Sequence, residues 1–134
     1  MTELPALLAD MSPRLREGRY VFSVLPDGGP VPADAVVTVT EDEGRTAVVP
    51  WPGPEGAEYD CAWITLEVHS SLSAVGFLAV VCSALAEAGM SVNPVSGFHH
   101  DHLFVPWEDR EAAMGVLRGL VTCQRAGTGG SSGP

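Results

Sequence analysis

The sequence predicts an α+β fold in which helices cover one face of an antiparallel sheet. Residues 63–69, WITLEVH, alternate apolar and polar side chains as a half-buried strand does. Residues 74–88 form an apolar run of helical length, and Gly89 follows as a C-terminal cap. Two further strands joined by a hairpin connection, within 91–105, and a helix with one apolar face, 108–121, complete the pattern.

The order strand, helix, strand, strand, helix is that of a ferredoxin-like sandwich. A strand–helix–strand connection is right-handed, so its two strands lie parallel with one place between them, and the third strand fills that place. The turn 70–73 and the hairpin 96–101 should therefore lie at the same end of the sheet. The alternation places His69 and His102 on the face away from the helices.

The residue pattern of the first half predicts one short helix, 3–11, and three strands, 19–25, 35–40 and 45–49. The last two strands form a hairpin. Proline and glycine are concentrated after residue 50, as in a linker. We therefore divide the chain into an N-terminal half (1–50), a Pro- and Gly-rich linker (51–60), a C-terminal domain (61–124) and a flexible tail (125–134).

Charge and composition exclude several classes of function. The 134 residues include 17 acidic and 7 basic side chains, for a net charge of −10. This argues against binding to nucleic acid or to an anionic membrane, both of which need a basic surface. Three cysteines without a CxxC spacing indicate reduced thiols. With no evident signal peptide or membrane span, we expect a cytoplasmic protein.

Three segments together resemble a known family. The run AVGFLAVVCSALAEAGMSVNPVSG (74–97), behind the strand WITLEVH, is similar to an ACT domain, above all to the regulatory ACT modules of aspartate kinases. The segments GFHHDHLFVP (97–106) and LLADMSPRLREGRYVFSVLP (7–26) resemble the second and first halves of small stand-alone proteins with tandem ACT-like units. The resemblance implies two ACT-like halves, the first incomplete because it lacks an evident helix between its first two strands.

The resemblance also implies a regulatory, non-catalytic module without a cofactor. ACT domains typically bind an amino acid or similar small ligand at the first strand–helix turn, often between two units, and a homodimer is expected. Asn93 matches a ligand-contacting asparagine, and Gly76 a glycine at the helix start. The Asp-x-Pro-Gly of the common pattern is absent, and the turn reads SSLSAVG. The candidate ligand-binding residues are Ser70, Ser71, Val75, Gly76, Asn93, His99, Asp101 and His102.

Two parts of this candidate site have more than one interpretation. Ser70, Ser71 or Ser73 at the helix start is suited either to plain N-capping or to binding a ligand such as a carboxylate at the positive end of the helix dipole. The cluster His99–His102 is suited to contacting a ligand, to holding a metal ion, or to forming an ordinary turn. The alternative functions are therefore a metal-binding protein using this cluster and a ligand-free protein–protein interaction module. No metal ligand is assigned.

Catalysis is disfavoured by geometry. His69 and Ser70 are neighbours in an extended strand and point to opposite faces, so the imidazole is badly placed to activate the hydroxyl. Large aromatic side chains, Trp63 and Phe104, lie on the face away from the helices, and we expect this face to be covered and not exposed to solvent. They are expected to pack either on the strands of the first half or on a second subunit.

Overall fold

The structure, a computed structural model, describes residues 3–26, 29–53, 59–68 and 74–130. Over these residues the chain forms three α-helices and one sheet of seven strands. The helices are α1 (Glu3–Asp10), α2 (Phe77–Glu87) and α3 (Arg110–Gly130), the last preceded by a short 3-10 helix, Trp107–Asp109. The strands are β1 (Ser12–Leu15), β2 (Tyr20–Leu25), β3 (Val37–Glu41), β4 (Gly44–Pro50), β5 (Asp60–Glu67), β6 (Asn93–Ser96) and β7 (Asp101–Pro106). No helix in these ranges is long and apolar enough to cross a membrane.

The second half has the predicted ferredoxin-like topology. β7 lies between β5 and β6 and is antiparallel to both. β5 and β6 are therefore parallel to each other, and α2 crosses between them. β6, which contains Pro94, is an edge strand, as expected of a strand that carries a proline.

The first half continues the same sheet beyond β5. β1 pairs with the second part of β5, and β2 pairs with its first two residues. Between β1 and β2 the chain bends at Gly18, whose φ of +100° favours glycine. β2 then carries the β3–β4 hairpin, so the sheet order is β3-β4-β2-β5-β7-β6, with β1 beside β2 on β5.

The main core lies between the helices and one face of the sheet. All three helices contribute buried side chains to one cluster, including Leu8 of α1, Val81 of α2 and Leu117 of α3. Ile64 of β5 and Leu103 of β7 are fully buried beneath them. The prediction of helices on one face is confirmed, and the short helix of the first half belongs to the same layer.

A second core fills the opposite face, where the sheet curls onto itself. Phe104 of β7 is completely buried and meets Phe22 of β2 edge-on, with ring centroids 5.8 Å apart. Trp63 packs edge-on against Tyr20, at 5.4 Å. The large side chains on this face are therefore covered by the strands of the first half, which is one of the two arrangements expected from the sequence.

The main differences from the prediction are one additional strand and two helix ends. β1 was not expected, because Ser12-Pro13 indicated only the end of a helix. The predicted start of α2 at Ala74 was wrong, since the helix begins at Phe77. The predicted end of the last helix at Val121 was also wrong, since α3 runs to Gly130. The Arg125 side chain donates from Nε to the carbonyl of Ala9 at 2.8 Å, and this contact anchors the extension to α1. The division into domains and a linker stays a prediction.

Candidate functional site

The β6–β7 hairpin lies beside the end of β5, where the chain turns toward α2. Asp101 pairs with Leu66 on β5 and with Ser96 on β6, so the hairpin tip projects from this end of the sheet. The amide of Gly97 donates to a backbone carbonyl across the tip at 2.8 Å. The Ser96 hydroxyl donates to Asp101 Oδ1 at 2.6 Å. These two bonds fix the position of the Asp101 carboxylate.

Gly76 is the residue at which the chain enters α2. Its φ of +90° lies in the left-handed region that glycine adopts without strain. A Cβ at this position would also lie 3.4 Å from Cδ2 of Leu4, so the loop passes close to α1. The preceding residue, Val75, leaves 87% of its surface exposed. Of the predicted turn, Val75 and Gly76 are thus at the helix entrance, one exposed and one packed.

Several turn residues lie outside the described part of the chain. Ser70, Ser71 and Ser73 belong to this group, and so does His69. Their predicted capping or ligand-binding roles stay predictions. The residue in the N-cap position of α2 is Gly76, which has no side chain to cap with.

His102 is the centre of a polar cluster on the face away from the helices, as the strand alternation predicted. The indole N–H of Trp63 donates to Nδ1 of His102 at 3.0 Å, and the Thr65 hydroxyl lies 3.1 Å from the same nitrogen. The Arg16 guanidinium donates to the Thr65 hydroxyl at 2.9 Å and lies over the Trp63 ring at 4.0 Å. Because an indole only donates, Nδ1 of His102 must accept, and the neutral ring carries its proton on Nε2.

The surroundings of His102 oppose a positive charge on its ring. Partial burial lowers the pKa of the imidazole, and the nearby Arg16 and His100 lower it further. The Asp101 carboxylate acts in the opposite direction but is the weakest of these influences. The cluster therefore favours a neutral imidazole whose Nε2–H is close to the hairpin, since a Cβ added at Gly97 would lie 3.6 Å from Nε2.

Asn93 lies apart from the hairpin tip. It pairs with Phe104, and its side-chain amide donates to the Tyr59 hydroxyl at 3.3 Å. Tyr59 immediately precedes β5, and its hydroxyl lies 3.2 Å from that of Ser91. Asn93 thus takes part in a polar contact near the beginning of β5, whereas Asp101 and His102 lie near its end.

The hairpin histidines occupy different environments. His99 is exposed, and its ring meets that of Phe98 edge-on at 5.2 Å, with Phe98 itself 78% exposed. His100 has a buried Nδ1 without a hydrogen-bond partner in the structure as described. Within the described ranges, no group of three or more His, Cys, Asp or Glu side chains is arranged to hold a metal ion.

A second polar cluster, which the sequence did not predict, lies at the opposite end of the sheet. Arg19 donates from Nε to Asp60 Oδ2 at 2.6 Å and also reaches this oxygen from Nη2. Its guanidinium lies 4.0 Å from the Trp51 ring and 5.0 Å from the Trp107 ring. Arg110 stacks on Trp107 at 3.8 Å. These residues are far apart in the sequence, so no local pattern predicts the cluster. Trp51, a large aromatic residue within the Pro- and Gly-rich segment, was the one indication that this segment packs against the rest of the chain.

The sheet order and the single helical layer define a ferredoxin-like α+β protein. Residues 58–119 match an ACT domain family, and residues 1–61 match a second ACT domain family. The chain therefore belongs to the ACT domain family, as a tandem of two such domains. ACT domains are regulatory modules that bind small molecules and are not themselves catalytic.

Solved structures agree with this assignment. One is a protein of unknown function from Vibrio cholerae, described as a possible transport protein. Its sequence is 34% identical to this one, and the two structures superpose with a TM-score of 0.71. The match covers 86% of this chain and 93% of that chain. A protein from Agrobacterium tumefaciens is 21% identical with a TM-score of 0.63, covering 83% of this chain and 89% of that one. The latter is similar in fold alone. No curated protein matches the sequence significantly.

Proposed function

We propose that this protein is a non-catalytic regulator that binds an amino acid, or a similar small ligand, where β5 leads into α2. The observation that carries the proposal is the pairing of Leu66 with Asp101, which brings the hairpin beside the end of β5. Beyond β5 the chain enters α2 through Gly76. Membership of the ACT family supports a small-molecule ligand.

The chemistry of this end of the sheet suits a zwitterion. The start of α2 presents unpaired backbone N–H groups and the positive end of the helix dipole, both of which favour a carboxylate. Asp101 supplies a fixed carboxylate that accepts from Ser96 through one oxygen, Oδ1. An ammonium group would donate to such a carboxylate. Exposed apolar side chains at Val75 and Phe98 are available to contact the rest of the ligand.

The proposal extends to assembly and location. We propose a homodimer, because ACT domains commonly pair and because Val75 and Phe98 remain exposed in the single chain. A cytoplasmic location suits a regulator of this kind. Ligand binding would favour one assembly or partner-binding state through unequal affinity for the two states.

The test is a titration of the purified protein with each free amino acid, followed by its melting temperature. A ligand at a hundred times its Kd stabilises the folded state by about 2.7 kcal/mol, which is readily measured. Asp101→Asn should reduce the shift, whereas Asp109→Asn, a matched change in the 3-10 helix, should preserve it. Absence of a shift with every amino acid would contradict the proposal and favour the ligand-free interaction module.

A further inference from the structure

We propose that this protein has a second small-molecule site, which takes a compact organic amine, at the end of the sheet opposite the hairpin. A cavity of about 310 Å³ opens there, between the start of β5 and the end of β7. Its lining residues are Arg19, Tyr59, Asp60, Pro106, Trp107 and Glu108. Both halves of the chain contribute to it, since Arg19 immediately precedes β2.

This cavity is separate from the proposed amino-acid site. Cys61 pairs with Pro106 at one end of the β5–β7 ladder, and Leu66 pairs with Asp101 at the other. Five residues of extended strand span about 17 Å. A ligand that fills the cavity would not reach the hairpin tip, so the two sites can be occupied independently.

One wall of the cavity, formed by Arg19, is already fixed. The Arg19 guanidinium is held by Asp60 and lies near the rings of Trp51 and Trp107. Such a wall loses little conformational freedom when a ligand binds, which favours affinity. The volume lies at the lower limit of the range for small-molecule pockets, roughly 300–1,000 Å³. The ligand should therefore be compact.

The charges around the cavity favour a cation. Asp60 neutralises Arg19, and both contacts converge on one carboxylate oxygen, Oδ2. The carboxylate of Glu108 has no ion-pair partner among the described residues, so the lining residues carry one negative charge beyond the Arg19–Asp60 pair. The Arg110 guanidinium, which stacks on Trp107 and donates to its carbonyl oxygen, does not line the cavity. The net charge of −10 on the whole chain also attracts cations.

The available polar atoms suit an ammonium group in particular. An ammonium has three donors and no acceptor. Two carboxylates line the cavity, those of Glu108 and Asp60, and both are acceptors. The Tyr59 hydroxyl is engaged elsewhere, by Asn93 and Ser91, so the two carboxylates are the acceptors that the cavity offers.

The experiment measures binding of putrescine by isothermal titration calorimetry, with 1,4-butanediol as an uncharged probe of the same length. We expect saturable binding of putrescine, none of butanediol, and at least tenfold weaker putrescine binding to Glu108→Gln. Glu111→Gln is the matched control, because Glu111 is exposed in the first turn of α3 and does not line the cavity. Glu108 is itself exposed, so its substitution should leave the fold intact.

Three results would overturn the inference. These are no saturable putrescine binding, equal loss of affinity in Glu108→Gln and Glu111→Gln, or binding of butanediol as tight as that of putrescine. Equal loss in both variants would mean that putrescine is attracted by the acidic surface as a whole. The Asp101→Asn variant should bind putrescine normally, so failure of this site and failure of the amino-acid site are distinguishable.

Discussion

The indole N–H of Trp63 donates to Nδ1 of His102, at 3.0 Å, and so selects the imidazole tautomer that carries its proton on Nε2. This bond joins two adjacent strands, β5 and β7, on the face covered by the first half of the chain. Arg16, from the bend before β2, reaches the same cluster through Thr65. The protonation state of one histidine is thereby coupled to the packing of the two halves.

The first prediction concerns pH. The folded-state pKa of His102 is below its unfolded value, so the unfolded chain binds more protons and stability rises with pH. The contribution is fully present above about pH 6.5 and decreases as the pH falls toward the folded pKa. Measuring the free energy of unfolding between pH 5 and 8 checks this. His102→Asn, which keeps an acceptor toward Trp63, should flatten the profile, and His99→Asn should not. Identical profiles for wild type and His102→Asn would contradict it.

The second prediction concerns the core on the face away from the helices. Phe104 is completely buried against Phe22, so Phe104→Ala should lower the free energy of unfolding by about 3–5 kcal/mol. Val24→Ala is the control, because Val24 is 78% exposed and its truncation should change stability by no more than about 1 kcal/mol. Denaturant unfolding measures both. Similar losses in the two variants would mean that Phe104 is not packed as described.

The third prediction compares two ion pairs. Arg19 and Asp60 are about one-third exposed and further supported by two tryptophan rings, whereas Arg14 and Glu67 are 53% and 40% exposed. Arg19→Gln should destabilise the protein by about 1–3 kcal/mol. Arg14→Gln should cost no more than about 1 kcal/mol, and its effect should decrease in salt. An equal effect of the two substitutions, measured by denaturant unfolding, would argue against a special role for Arg19.

The fourth prediction concerns the thiols. Burial raises the pKa of Cys61 to about 12, with Asp60 adding to the effect, and burial together with Asp101 raises that of Cys82. Because the thiolate is the reactive form, Cys61 should resist iodoacetamide in the folded protein at pH 8. Cys123 is exposed and should be alkylated first. Peptide mass spectrometry after timed labelling checks the order, and rapid labelling of Cys61 would contradict the placement of β5.

Local patterns predicted the second half of the fold well. The alternation along 63–69 fixed which side chains of β5 face the helices, and Pro94 indicated an edge strand. The first half was harder to predict. Pro13 argued against a strand at 12–15, where β1 pairs on one side only. The glycines after Ala126 argued against a helix, although α3 continues to Gly130. Both elements depend on tertiary contacts, which no local pattern contains.

The candidate site was predicted only in part. The face of the sheet on which His102 lies followed from strand alternation, because the alternation of side chains along a strand is a local property. Its partners Trp63 and Thr65 also lie on the predicted face, but Arg16 reaches the cluster through a bend that the sequence did not indicate. Asn93 was assigned by resemblance, and the structure places its amide against Tyr59. Contacts between distant segments were thus the part that sequence reasoning missed.

The central claim is that a small zwitterion binds where β5 leads into α2. The most direct measurement is a two-dimensional NMR titration with the amino acid that raises the melting temperature most, following backbone amide signals. We predict saturable shifts at Gly76 and Gly97, on either side of the proposed site, with little change at Trp107 and Glu108. Shifts confined to Trp107 and Glu108, or no shifts in the residues around Gly76 and Gly97, would contradict the account.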